Sequence, residues 1–222
     1  MKRVLVKICG ITTVEDGLMA AEAGADAVGF VFHLMSPRRM TAERAAAVAR
    51  ELPPLVLRVG VFVNASRDQL ARVADAVGLD LLQLHGEEPP AFFEHLPRRA
   101  LKALQVGKGF APQDALEYEG HAAGLLVDTR APGDAMMPGG TGRTFDWTLV
   151  EEVRAGARFL MLAGGLRPEN VAEAIGVVRP DAVDVSSGVE GVPGRKDAGR
   201  VRAFVEAVRG AGAGMTAGSR QR

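Results

Sequence analysis

Short apolar runs alternate with amphipathic stretches along almost the whole chain. The runs are rich in Val, Leu and Phe and are bounded by Gly, Asp, Asn or Pro, which is typical of buried parallel strands. They predict eight strands, at Val4–Cys9, Ala27–Phe32, Arg58–Val63, Leu81–His85, Leu101–Val106, Gly124–Thr129, Phe159–Gly164 and Ala182–Gly188.

Stretches with helical periodicity follow each of these strands. They predict helices at Val14–Ala23, Ala42–Glu51, Asp68–Val77, Pro90–Leu96, Gln113–Glu119, Trp147–Ala155, Glu169–Val178 and Gly199–Val208. Thr41 and Ser66 are expected to cap two of them. Pro168 suits a first helical turn.

Eight alternating β and α units in 222 residues predict an α/β fold, a single (β/α)8 TIM barrel with parallel strands over residues 1–209. The alternative is an open doubly wound sheet, which usually has about five or six strands and a glycine-rich first turn. The turn Cys9–Thr12 carries no dinucleotide-binding fingerprint. Residues 210–222 form a Gly/Ala-rich, then polar tail that we expect to be disordered.

Composition narrows the classes of partner. The formal net charge is zero, so neither nucleic acid nor an anionic membrane surface is favoured as a partner. No apolar run approaches the ~18 residues of a membrane span, and Lys7 interrupts the first run, so no signal peptide is expected. The single cysteine excludes an intrachain disulfide and fits a reducing compartment, so we expect a cytoplasmic location.

In such a barrel the chemistry lies where strands end and βα loops begin. Cys9 ends the first strand and is a candidate base, with a small buried apolar residue as the alternative role. A free thiol, with a pKa of ~8.5, needs cations or helix N-termini to ionise near neutral pH. Helix N-termini at this face of the barrel would favour the thiolate.

Asp128 ends the sixth strand after an otherwise apolar run. It could cap a helix or pair with Arg130. The following segment, 131–142, is rich in Gly and Pro and long for a βα loop. A carboxyl that such a loop shields from water would favour the protonated form that a general acid needs.

The alternation of strand side chains places Lys7 and Cys9 on one face of the first strand. Asp184 and Ser186 share a face of the eighth strand, which neighbours the first in a closed barrel. We therefore expect a Lys7–Asp184 ion pair inside the barrel. The functional alternative for Lys7 is a lysine that forms a Schiff base.

The loops after the seventh and eighth strands are rich in Gly and Ser. Exposed backbone N–H groups and hydroxyls there form the usual phosphate site of this fold, with ordinary turn glycines as the alternative. The candidate phosphate-binding residues are Gly142, Gly164, Gly165, Ser186, Ser187 and Gly188.

Three further side chains lie near predicted strand ends. Arg38 follows Pro37 in a loop that should overhang the pocket, where it could clamp a carboxylate, and Arg39 competes for that role. His85 could be a base or a pocket wall. No cluster of His, Cys and carboxylates has the spacing of a metal site.

Eight blocks together resemble the signature of the phosphoribosylanthranilate isomerase family, a barrel of tryptophan biosynthesis. In family order they are Lys7–Thr12, Gly24–Phe32, Ser36–Arg38, Val59–Asn64, Gln83–Glu87, Gly139–Gly142 with Phe145–Trp147, Leu162–Leu166 with Pro168–Asn170, and Val183–Glu190. The stretch between Asp128 and Gly139 is longer than the family pattern suggests.

The resemblance implies an Amadori rearrangement of the phosphosugar N-(5-phosphoribosyl)anthranilate to 1-(2-carboxyphenylamino)-1-deoxyribulose 5-phosphate, without a cofactor. It implies Cys9 as the general base, Asp128 as the general acid and Arg38 as the ligand of the anthranilate carboxylate. It also implies that the loops after strands 7 and 8 bind the phosphate. A monomer and a homodimer are both compatible with the sequence.

Other sugar-phosphate barrels remain as alternatives. The analogous isomerase of the histidine pathway is expected to carry an aspartate at the end of strand 1, where this chain has Cys9. Indole-glycerol-phosphate synthase relies on a lysine after an early strand, and no lysine lies between Lys7 and Lys102. A phosphate-binding barrel without catalysis would not need both Cys9 and Asp128.

Overall fold

Eight parallel strands close into a barrel in chain order, so that the last strand pairs with the first. The structure is a computed structural model that describes residues 3–106, 110–128 and 150–217. The strands are β1 (Leu5–Cys9), β2 (Ala27–Val31), β3 (Leu57–Phe62), β4 (Leu81–Leu84), β5 (Ala100–Gln105), β6 (Gly124–Asp128), β7 (Leu160–Ala163) and β8 (Ala182–Val185). The predicted (β/α)8 barrel is confirmed.

Helices alternate with these strands and surround them. They are α1 (Val14–Ala23), α2 (Ala42–Glu51), α3 (Arg67–Val77), α4 (Pro112–Leu116), α5 (Glu151–Gly156), α6 (Val171–Val178) and α7 (Ala198–Ala217). The α-helix predicted over Pro90–Leu96 was wrong, because only a 3₁₀ turn, Pro90–Phe93, forms there. Pro89 and Pro90 lack the N–H groups of a regular first turn, and Pro97 limits extension on the other side.

Side chains cap several of the helices as their sequence suggests. Thr41 and Ser66 accept hydrogen bonds from the backbone N–H groups three residues on, which confirms both predicted caps. Thr13 caps α1 in the same way. Pro168, in contrast, precedes α6, which begins only at Val171.

The chain after β8 departs most from prediction. β8 ends at Val185 rather than Gly188, because Ser187–Val189 turns into a short 3₁₀ helix. An unpredicted antiparallel hairpin follows, with strands β9 (Glu190–Val192) and β10 (Arg195–Lys196). This hairpin returns the chain toward the mouth of the barrel, where the candidate site lies.

The last helix continues to Ala217, beyond the domain end predicted at residue 209. Alanine-rich sequence favours helix despite the interspersed glycines, and Ala211 still packs against the core. Residues 218–222 of the predicted tail lie outside the described residues. Neither α7 nor any other helix in the described ranges is long and apolar enough to span a membrane.

Two apolar layers hold the barrel together. The larger lies between the strands and the helices, where Phe30, Leu70, Leu125 and Phe204 are fully buried. The smaller fills part of the barrel interior and comprises Leu101, Ala103, Leu126, Met161, Ala163 and Ala182. Because this layer closes that part of the interior, we expect a substrate site above it, at the carboxyl ends of the strands.

Candidate active site

The single thiol lies at the carboxyl end of β1, as predicted. Cys9 is 7% exposed, and Lys7 on the same strand face is 1% exposed. Both side chains converge on Gly29 of β2: a Cβ there would lie 2.8 Å from the Cys9 Sγ and 3.0 Å from the Lys7 Nζ. Glycine at this position therefore leaves the space that the thiol and the ammonium share.

Lys7 forms the predicted ion pair inside the barrel. Its Nζ lies 2.8 Å from the Asp184 Oδ1, and the two residues are register partners in β1 and β8. The structure confirms this pairing, which follows from strand parity and barrel closure.

Charged side chains of both signs act on the thiol. Lys7, Lys196 and Arg38 are the cations, and Asp184 is an acidic neighbour that interacts with the thiol directly. Glu190 belongs to the same cluster because it binds Arg38 and Lys196. The five charged groups carry one net positive charge, which ionisation of the thiol would neutralise.

The resting protonation of this cluster differs from the sequence expectation. Burial raises the pKa of Cys9, and this effect and that of Asp184 outweigh the lowering by Lys7 and Lys196. Burial alone would lower the pKa of Lys7, but Asp184 and Cys9 together raise it. The expected lowering of the thiol pKa is therefore wrong, because burial favours the neutral thiol.

Replacing Lys7 with methionine should destabilise the fold by about 3 to 5 kcal/mol, because it leaves a buried Asp184 carboxylate without its partner. Urea unfolding measures this loss as a lower midpoint with an unchanged slope. In the double variant Lys7→Met/Asp184→Leu the unpaired charge is gone, so much of the loss should be recovered. Equal stability of wild type and Lys7→Met would contradict a structural role for the pair.

Arg38 reaches the site, but its guanidinium already binds a carboxylate. Its Nε and Nη2 donate to Glu190 Oε1 and Oε2, each at 2.6 Å. Its stem lies over Gly10, where a Cβ would approach the Arg38 Cδ to 2.4 Å. Arg39 is exposed. Of the two candidate arginines, therefore, Arg38 is the one beside the thiol.

Asp128 ends β6 as predicted and is 3% exposed. His85 stands beside it, with 3.6 Å between its Nε2 and the Asp128 Oδ2. The other ring nitrogen of His85 lies 3.4 Å from the Gln83 Nε2. These positions place His85 next to the candidate acid, and its role as a pocket wall stays a prediction.

The loops after β7 and β8 pack directly against each other. Gly164 and Gly165 both have positive φ, at 91° and 62°, which favours glycine. A Cβ on Gly188 would lie 1.9 Å from the Leu166 carbonyl oxygen, so only glycine fits between the two loops.

One serine of the second loop lies close to the residue that follows the thiol. The Ser186 Oγ would be 2.9 Å from a Cβ on Gly10, the residue after Cys9. Ser187 begins the 3₁₀ helix. Five of the six predicted phosphate residues are thus in two adjacent loops, and Gly142 lies outside the described residues.

Two charged residues of the site, Glu190 and Lys196, were not predicted from the sequence. Both belong to the unpredicted hairpin and are buried, at 6% and 8% exposure. The Lys196 Nζ binds the Ser186 carbonyl oxygen at 3.1 Å and the Glu190 Oε1 at 2.9 Å. A signal was present, since Glu190 ends the Val183–Glu190 block.

Among the described residues, no group of three or more His, Cys, Asp or Glu side chains could hold a metal ion. The absence of a cofactor stays a prediction.

The chain is similar over most of its length to one family. A family model described as N-(5'phosphoribosyl)anthranilate (PRA) isomerase matches residues 6–207. The N-(5'-phosphoribosyl)anthranilate isomerase of Pseudomonas fluorescens is 52% identical over 209 residues, which cover 94% of this chain and all of that protein.

Solved structures agree with this similarity. The crystal structure of phosphoribosyl anthranilate isomerase from Thermotoga maritima matches with a TM-score of 0.85 and 47% identity, covering 93% of this chain and 99% of that one. A structure of the isomerase in complex with reduced 1-(o-carboxyphenylamino)-1-deoxyribulose 5-phosphate matches with a TM-score of 0.81 and 44% identity, over the same shares of the two chains.

Proposed function

The chain belongs to the N-(5'-phosphoribosyl)anthranilate isomerase family, an enzyme family of tryptophan biosynthesis, and we propose that Cys9 and Asp128 are its general base and general acid. The observation that supports this proposal best is the set of charged side chains around Cys9. Cys9 lies beside Lys7 within a cluster of five charged side chains that carry one net positive charge, so ionisation of the thiol would neutralise the cluster, although burial raises the thiol pKa.

The first step opens the sugar ring. Asp128 donates its proton to the ring oxygen while the C1–O bond breaks, and the anilino nitrogen supplies the electron pair that forms a C1=N bond. The resulting Schiff base is cationic. Protonation by Asp128 prevents the leaving oxygen from becoming an alkoxide.

The second step moves a proton from C2. The ionised Cys9 removes it, and the C2–H electrons form a C1=C2 double bond as the C1=N electrons return to nitrogen. The enolamine then tautomerises to the ketone of the product: C1 gains a proton and the C2 hydroxyl loses one, so the rearrangement consumes no net proton. Because the Schiff base acidifies C2, a thiolate is a sufficient base.

Binding groups at both ends would hold the sugar between base and acid. The analogue bound in the related complex carries a phosphate and a carboxyphenyl group. We assign the phosphate to the loops of Gly164, Gly165 and Ser186–Gly188, and the carboxylate to Arg38. Fixing both ends converts the reaction into an oriented, effectively unimolecular step.

The direct test of the function is turnover of phosphoribosylanthranilate, made in situ and followed by the loss of its anthranilate-type fluorescence. We expect the purified wild type to convert it. A wild type that binds the product without turnover would instead indicate a binding protein with this fold.

Gly188→Ala should raise the KM at least about tenfold, since a displacement of ~1 Å in a binding site can cost up to 10²-fold. The added Cβ would meet the Leu166 carbonyl oxygen at 1.9 Å, so one phosphate loop must move. Steady-state kinetics and competitive inhibition by inorganic phosphate measure the effect.

Gly176→Ala is the matched control for that variant. Gly176 is an exposed residue of α6 with open space at its Cβ position. We expect an unchanged KM and a stability gain of about 0.5–1 kcal/mol from the helix preference of alanine. If Gly188→Ala behaves like this control, the phosphate does not bind between these loops.

The cytoplasmic location and the choice between monomer and homodimer stay predictions. Sedimentation of the purified chain at micromolar concentration decides the second.

A further inference from the structure

Glu190 is the only described carboxylate that binds two of the cations at the thiol. Its side chain is 5% exposed and accepts from Arg38 Nε, Arg38 Nη2 and Lys196 Nζ at 2.6, 2.6 and 2.9 Å. Arg200 donates to its backbone oxygen at 2.6 Å. Glu190 is therefore held at its backbone and satisfied at both carboxylate oxygens.

The mode of this contact determines what Arg38 can still bind. A guanidinium offers five N–H groups on two edges, each of which can grip one carboxylate with two parallel bonds. Glu190 occupies the edge made by Nε and Nη2. The other edge, made by Nη1 and the second N–H of Nη2, has no acceptor among the described residues and is therefore available to a second carboxylate.

Glu190 also fixes where that open edge lies. The Arg38 stem is confined over Gly10, next to Cys9, and its backbone N–H donates to Ser36 Oγ at 3.1 Å. Glu190 then sets the orientation of the guanidinium plane, which an arginine anchored only by its stem would sample in many rotamers.

The same carboxylate connects Arg38 to the phosphate loop. Lys196 bridges the Glu190 Oε1 and the Ser186 carbonyl oxygen. The proposed ligands for the two ends of the substrate thus share one buried anchor, so their spacing is held by protein contacts before the substrate arrives.

We propose that Glu190 is a positioning residue for substrate binding, which orients Arg38 toward the substrate carboxylate without touching the substrate itself. The inference rests on the proposed role of Arg38. The opposite relation is also chemically possible: Glu190 could compete with the substrate carboxylate for Arg38. The two relations predict changes of opposite sign in KM.

The test is a double-mutant cycle of Arg38→Met and Glu190→Gln, measured as kcat and KM for phosphoribosylanthranilate. Arg38→Met should raise KM about 100-fold, because it removes a bidentate charged contact. Glu190→Gln should raise KM about tenfold, with kcat changed less than about threefold. In the Arg38→Met background, Glu190→Gln should change KM less than about twofold, because the two residues act as one unit.

Asp80→Asn is the control for loss of a bidentate arginine pair. Asp80 accepts from Arg58 Nε and Nη2, both at 2.8 Å. Asp80 lies just before β4, at the amino end of the barrel and away from the site. Asp80→Asn should therefore leave KM unchanged.

A second Glu190 variant covers the case in which Glu190→Gln does not fold. Glu190→Asp keeps the charge but shortens the reach to Arg38, and it should also raise KM.

The outcomes separate the inference from the proposed function. If Arg38→Met leaves KM unchanged, the carboxylate role of Arg38 is wrong, and the inference with it. If Arg38→Met raises KM but neither Glu190 variant does, only the positioning role fails. A lower KM in Glu190→Gln overturns the inference and makes Glu190 a competitor of the substrate.

Discussion

Replacement of Cys9 by alanine is expected to lower kcat by about 10²- to 10⁴-fold, the usual contribution of a positioned acid or base. Cys9 is the only titratable side chain at the carboxyl end of β1. Lys7, two residues earlier on the same face of the strand, is paired with Asp184. Without the thiol, removal of the C2 proton would depend on water. Single-turnover kinetics at saturating substrate measure the loss in the chemical step.

Two controls decide whether this loss concerns chemistry. Thermal unfolding should show that Cys9→Ala remains folded, because the removed sulfur is small and lies at the edge of the core. Cys9→Ser keeps the size and polarity but hardly ionises, and should be about as slow as alanine. Near-wild-type turnover in either variant would make the thiol a packing group and direct the search for the base to His85 or another strand end.

The barrel was predictable because its strands are buried on both faces. Continuous apolar runs bounded by turn residues indicate where a buried parallel strand lies, and each of the eight barrel strands overlaps its prediction. β8 shows the limit of this reasoning. Its predicted end at Gly188 was three residues too late, because the chain already turns into a 3₁₀ helix at Ser187–Val189.

The contacts of the site were predictable only where strand geometry dictates them. Lys7 and Asp184 lie 177 positions apart, yet strand parity and closure of the barrel make them neighbours. Arg38 and Glu190 are 152 positions apart and meet because a loop and a hairpin fold over the mouth of the barrel. No periodicity relates those two segments, so the sequence indicated Arg38 but not its partner.

The wrongly predicted direction of the Cys9 pKa shift has a similar origin. The sequence indicates helix N-termini at this face of the barrel, which would lower the pKa of Cys9. Burial raises it more than Lys7 and Lys196 lower it. Desolvation depends on how completely the neighbouring strands and loops cover the sulfur, a property of packing rather than of local sequence.

Replacement of Asp128 is the second large effect. Asp128→Ala should lower kcat about 10²- to 10⁴-fold, because the ring oxygen would leave as an alkoxide. Asp128→Asn keeps the size and the hydrogen-bonding capacity next to His85 but has no transferable proton, and it should be equally slow. If asparagine retains near-wild-type turnover, Asp128 orients its neighbours and the acid lies elsewhere.

The pH dependence of the slow variant gives the sharper test. In the wild type the reactive form must combine an ionised thiol with a protonated carboxyl, so kcat/KM reflects both groups. In Asp128→Ala only the ionisation of the thiol remains, and the thiolate fraction rises about tenfold per pH unit below the thiol pKa. Because burial raises the pKa of Cys9, kcat/KM of this variant should still be rising with pH above neutrality. A profile that is flat across that range would mean that the thiolate is not the base, whatever the size of the loss in rate.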